Sequence, residues 1–128
     1  MSRQSTFSRI KSMKNSGIIK NFSVKLNPEK LGLNLKAYIM IMIEPSKKSR
    51  EEVNRFLKKC KQISQIHYLF GTFDFLLEVL VRDRKELTKL LKSIHEFEGI
   101  KKTETFIVYD TVKCAYEDPL GYVLTKTT

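Results

Sequence analysis

Hydrophobic and polar positions change period several times along the chain, and each change marks an element. Leu35–Glu44 alternates with apolar residues on both sides, Ile39, Ile41 and Ile43 on one and Tyr38, Met40 and Met42 on the other. That pattern predicts a strand buried on two faces. Ser49-Arg50-Glu51-Glu52 reads as a capping box, and Val53, Phe56, Leu57 and Cys60 form the i, i+3, i+4, i+7 stripe of the helix it opens. A second strand is predicted over Ile63–Phe70, and Gly71-Thr72-Phe73 connects it tightly to a third, Asp74–Arg82, with Phe75, Leu77, Val79 and Val81 on one side. Asp83-Arg84-Lys85-Glu86 repeats the capping pattern before Leu87, Leu90, Leu91 and Ile94. Gly99 ends that helix, and Thr103–Val112 is the fourth predicted strand. The order βαββαβ is that of an α+β, ferredoxin-like sandwich with both helices on one face of the sheet.

The segment before Leu35 is organised differently. Ser2 to Asn15 reads as a helix with Phe7, Ile10 and Met13 along one side, Ser2 as its cap and Gly17 as its stop. Phe22, Val24 and Leu26 then alternate with Asn21, Ser23 and Lys25, which predicts a tether strand over Ile18–Leu26. Asn27-Pro28 caps a single turn that Gly32 closes. The expected division is therefore a helix and tether over residues 1–32, the sandwich over 33–113 and a C-terminal tail over 114–128.

The sheet face turned away from the helices is expected to carry Tyr38, Met40, Met42, Leu76 and Leu80. A layer that apolar must bury against something, and a second copy of the same sheet is the economical cover. A homodimer with sheets face to face is the expectation.

Composition narrows the function. The chain has 128 residues and a formal net charge of +10. Residues 1–30 hold seven bases (Arg3, Arg9, Lys11, Lys14, Lys20, Lys25 and Lys30) against Glu29 alone, so a quarter of the chain carries more than half the excess. A concentrated basic arm points to a polyanion partner, most often nucleic acid. Cys60 and Cys114 lack any metal-ligand or disulfide spacing, and His67 and His95 are isolated. No metal or cofactor is called for. The carboxylates form no acid/base or nucleophile set, so an enzyme is not expected. There is no apolar run of membrane-spanning length and no signal-type core at the N-terminus, which makes the cytoplasm the expected location and excludes a membrane partner. An RNA-binding βαββαβ domain would need aromatic residues on its central strands, and Asp74–Val81 has one.

Four stretches, in order, resemble one family. Ser5-Thr6-Phe7-Ser8-Arg9-Ile10-Lys11 through Gly17-Ile18-Ile19 looks like the DNA-recognition helix of the Lrp/AsnC (leucine- and asparagine-responsive, or feast/famine) transcription regulators. Leu26-Asn27-Pro28-Glu29-Lys30-Leu31-Gly32-Leu33 resembles that family's tether, Gly71-Thr72-Phe73-Asp74-Phe75-Leu76-Leu77 its glycine-aromatic-aspartate turn, and Thr105-Phe106-Ile107-Val108 its final strand. The resemblance implies a regulator that binds DNA as a dimer, or as a tetramer or octamer that such dimers build, and senses a small amino-acid effector. It implies DNA contacts from Arg3, Gln4, Ser5, Thr6, Ser8, Arg9, Lys11 and Lys14. It places the effector against Gly71, Thr72, Phe73 and Asp74, with Phe106 and Ile107 as walls, between the domains of neighbouring dimers. In the family two further helices precede the recognition helix. Here the chain opens on that helix, by natural truncation, because its start lies upstream, or with the segment packed on another copy, so only a partial helix-turn-helix is expected and DNA binding is expected to be weak or non-specific. The alternative is an oligomerising amino-acid-sensing module without sequence-specific DNA binding.

Overall fold

The computed structural model describes residues 2–126. Its elements are α1 (Arg3–Asn15), a 3-10 turn at Glu29–Leu31, β1 (Leu35–Ile43), α2 (Lys47–Lys59), β2 (Ile63–Tyr68), β3 (Phe75–Val81), α3 (Arg84–Glu96), β4 (Ile100–Ile107) and α4 (Glu117–Lys126). Four strands form one sheet in the order β2-β3-β1-β4, and every neighbouring pair is antiparallel. This is the ferredoxin-like arrangement that the βαββαβ order predicts.

Alternation explains the core. Ala37, Ile39, Ile41 and Ile43 of β1 and Phe75, Leu77, Val79 and Val81 of β3 point to one face, where Val53 and Leu57 of α2 and Leu87, Leu90 and Ile94 of α3 cover them. All of these are buried. Cys60 packs against the same cluster, and burial raises its thiol pKa, so it is a small hydrophobe of the core margin. The second capping pattern forms as expected: Asp83 Oδ1 accepts from Glu86 N at 2.9 Å. The first is shifted, because Ser46 and not Ser49 caps α2, its Oγ accepting from Ser49 N at 2.9 Å.

Three further differences have physical causes. The tether strand expected over Ile18–Leu26 is absent: the segment is irregular, and Val24 is 81% exposed. Alternation creates a strand only where another strand accepts its hydrogen bonds, and among the described residues none lies alongside. β4 runs over Ile100–Ile107 instead of Thr103–Val112. It begins directly after Gly99, whose φ is +102°, and it ends as its partner runs out: Ile107 pairs with Ala37, Val108 N donates to Lys36 O at 2.9 Å, and β1 starts at Leu35. The expected tail over 114–128 contains α4.

Leu57 is fully buried under the sheet. Leu57→Ala is expected to cost about 2–5 kcal/mol, seen as a lower urea midpoint with an unchanged slope.

Candidate functional site

The turn between β2 and β3 is fastened to the centre of the sheet by Asp74. Its backbone N–H donates to Ile41 O at 2.8 Å, and its C=O accepts from Leu69 N at 2.9 Å. Its side-chain Oδ2 accepts from Ile43 N at 2.9 Å, which satisfies the last amide of β1 beyond the ladder. The other carboxylate oxygen faces Arg50, with Nη2 at 3.9 Å from Oδ1. Arg50 also lies over the Tyr68 ring, 5.8 Å from its centroid. Two open cavities meet at this pair. The larger, of about 410 Å³, includes Ile43, Glu44, Ser46, Arg50 and Asp74 in its lining; the smaller, of about 250 Å³, adds Tyr68, Leu69 and Phe70 to the same pair.

The neighbouring residues of the turn are spread around this point. Gly71 has φ +155° and nothing near its missing Cβ, so conformation and not space calls for glycine there. Thr72 is exposed, and Phe73 is half-buried with Lys102 Nζ 6.0 Å from its ring centroid. Phe106 and Ile107 are elsewhere. They pair with Tyr38 and Ala37, near the opposite end of β1, about 13 Å further along at roughly 3.3 Å per residue. As neighbours on one strand they also face opposite sides of the sheet, so the two do not wall a single site with Gly71–Asp74 in one copy of the chain.

The face away from the helices holds Tyr38, Met40, Met42, Leu76 and Leu80, all half-buried, with Met40 opposite Leu76. A polar strip crosses it. Tyr38 Oη donates to Glu78 Oε2 at 2.8 Å and Ser64 Oγ donates to Glu78 Oε1 at 2.9 Å, which ties β1, β3 and β2 together. The hydrogen bond to this carboxylate, then burial, raise the Tyr38 pKa above its ordinary value of 10.0. Glu78 and Ser64 escaped sequence reasoning because only the sheet register brings them together.

α1 is capped by Ser2, whose Oγ accepts from Ser5 N at 3.2 Å, and Gly17 follows its end with φ +86°. Its eight candidate DNA contacts are exposed but do not share one side. Arg3, Thr6 and Lys14 each stand four residues from Phe7 or Ile10 and so lie on the apolar stripe, while Gln4, Ser8 and Lys11 line another side and Ser5 and Arg9 a third. Ser5 Oγ accepts from Ser2 Oγ, Thr6 Oγ1 donates to Ser2 O, and Lys14 Nζ lies 5.5 Å from the Phe22 ring centroid. The apolar stripe itself is uncovered, with Phe7 68% and Ile10 37% exposed. Among the described residues there is no cluster of His, Cys, Asp and Glu able to hold a metal, and no helix is long and apolar enough to cross a membrane.

Residues 36–118 match the Lrp/AsnC ligand binding domain. The chain belongs to the Lrp/AsnC family. It is 34% identical over 107 residues to an uncharacterized HTH-type transcriptional regulator of Pyrococcus horikoshii, covering 84% of this chain and 71% of that protein. To the HTH-type transcriptional regulator FL11 of Pyrococcus furiosus it is 34% identical over 112 residues, 88% of this chain and 73% of that one. Among solved structures, a transcriptional regulator from Neisseria meningitidis in complex with L-Met superposes with a TM-score of 0.87 at 23% identity, over 96% of this chain and 80% of that one. The Lrp/AsnC protein is thus a transcription regulator whose sheet and two covering helices are the family's ligand-binding fold.

Removing the Asp74 carboxylate leaves the half-buried Ile43 amide unsatisfied and Arg50 without its acid. Asp74→Ala is expected to destabilise by about 1–3 kcal/mol in denaturant titration. It should also speed amide exchange at Ile43 relative to Ile39.

Proposed function

We propose that this Lrp/AsnC regulator binds a free amino acid at the Asp74 end of its sheet, pairs with a second copy through the open sheet face, and contacts DNA through α1. One observation carries the effector reading. A carboxylate and a guanidinium, on Asp74 and Arg50, border the same cavity 3.9 Å apart. An α-amino acid presents the complementary pair, an ammonium for Asp74 and a carboxylate for Arg50. The relative from Neisseria, solved with L-Met, makes L-methionine the first probe. Phe106 and Ile107 join such a site only from a neighbouring copy, which agrees with an effector held between dimers.

The protein acts by binding and not by catalysis, in the cytoplasm where its DNA is. The half-buried apolar layer around Met40 favours a second sheet as its cover, because charged partners would be desolvated there. The division into residues 1–32, 33–113 and 114–128 follows the same roles, with α1 and the tether serving DNA and the sandwich serving effector and partner. The exposed Phe7 and Ile10 favour a second reading, an oligomerising sensor that does not read DNA sequence, since base recognition needs a helix held rigidly in the groove.

Met42→Glu or Leu80→Lys is expected to abolish the dimer in light scattering, and an unchanged dimer would move the interface elsewhere. For the effector, L-methionine and the other amino acids should be screened by thermal shift. A ligand at about a hundred times its Kd adds roughly 2.7 kcal/mol to the native protein, and Gly71→Val is expected to remove that shift while the fold persists. If no amino acid shifts the native protein, the effector reading fails.

A further inference from the structure

The two ends of the sandwich differ in charge. At one end α2 finishes, α3 starts and β1 begins, and the pairing joins them in one row: Leu80 N donates to Gln62 O at 2.9 Å, and Leu80 pairs with Lys36. Lys58, Lys59, Lys61, Arg82, Arg84 and Lys85 gather there, all exposed. The carboxylates beside them, Asp83 and Glu86, are occupied: Asp83 caps α3, and Glu86 accepts from Arg82 N at 3.1 Å and pairs with the Arg82 side chain at 3.4 Å. At the other end Glu44, Asp74, Glu96 and Glu98 are interspersed among the bases.

Two features separate this edge from an ordinary solvated surface. Arg84 and Lys85 occupy the first turn of α3, where the helix dipole disfavours positive charge, so they are not there for the helix. The edge is also where the tether enters. β1 starts at Leu35, opposite Val81, so the basic arm of residues 1–30 reaches the sandwich at this end. The two positive surfaces are consecutive.

We propose that this edge is a second DNA contact, which holds the phosphate backbone of duplex flanking the stretch bound by α1. It rests on the reading of α1 as the DNA-binding helix and extends it. Lysine and arginine side chains here need only proximity to phosphates, so the contact is indifferent to sequence, sensitive to salt, and requires duplex longer than α1 covers.

The test compares salt slopes of binding by the full chain to a duplex several helical turns long. The triple variant Lys58→Ala, Lys59→Ala, Lys85→Ala is expected to reduce the slope of log K against log salt by about 2 to 3 for each protomer on the duplex, at about 0.9 for each phosphate no longer neutralised. The triple variant Lys48→Ala, Lys92→Ala, Lys101→Ala removes the same charge toward the other end and is expected to leave the slope unchanged. All six side chains are exposed, so circular dichroism should show both variants folded. An unchanged slope in the first variant, or an equal fall in both, overturns the proposal. The variant Arg3→Ala, Arg9→Ala reports on α1 separately. If it alone lowers the slope, α1 binds DNA and the edge does not; if only the edge variant does, the edge contact stands and the α1 reading fails.

Discussion

β1 is the central constraint of this molecule. It sits between β3 and β4, so its backbone groups are satisfied by both neighbours, and its side chains are apolar in both directions. One direction, from Ala37 to Ile43, is sealed by α2 and α3. The other, through Tyr38, Met40 and Met42, is only half-buried by the strands around it. A two-layer domain closes its core with two helices and leaves this second layer uncovered, so association in the proposed dimer continues the burial that folding begins.

The same antiparallel order gives the sandwich two ends with different chemistry. The Asp74 turn returns to the C-terminal end of β1, where Arg50 from the first turn of α2 meets it. The tether and the basic edge lie at the N-terminal end. In the proposed function, effector and DNA contacts therefore fall toward opposite ends of one strand, joined by the ladder.

Much of this was legible from residue order. Period-two runs at Leu35–Ile43 and Phe75–Val81, and helical stripes ending at Leu57 and Ile94, marked the core, because burial imposes those periods directly. Asp83 and Glu86 announced the start of α3. Less legible were features that depend on distant partners. Phe22, Val24 and Leu26 alternate like a strand, yet alternation supplies no neighbour to bond with. Pro119 and Gly121 disguised α4, although proline is tolerated in a helix's first turn, where its missing N–H costs nothing. Arg50 read as part of a helix cap; only the folding back of the β2–β3 turn sets it beside Asp74. Phe106 and Ile107 matched a motif, and the register then placed them far from the turn they were expected to wall.

If the open face of β1 and β3 is buried by a second copy, the folded state is coupled to association, and its stability depends on protein concentration. Thermal unfolding followed across a hundredfold range of concentration tests this most directly. Burial of this face between two copies gives a melting temperature that rises by several degrees, since that range adds about 2.7 kcal/mol per dimer. A melting temperature that stays constant over the whole range would contradict it.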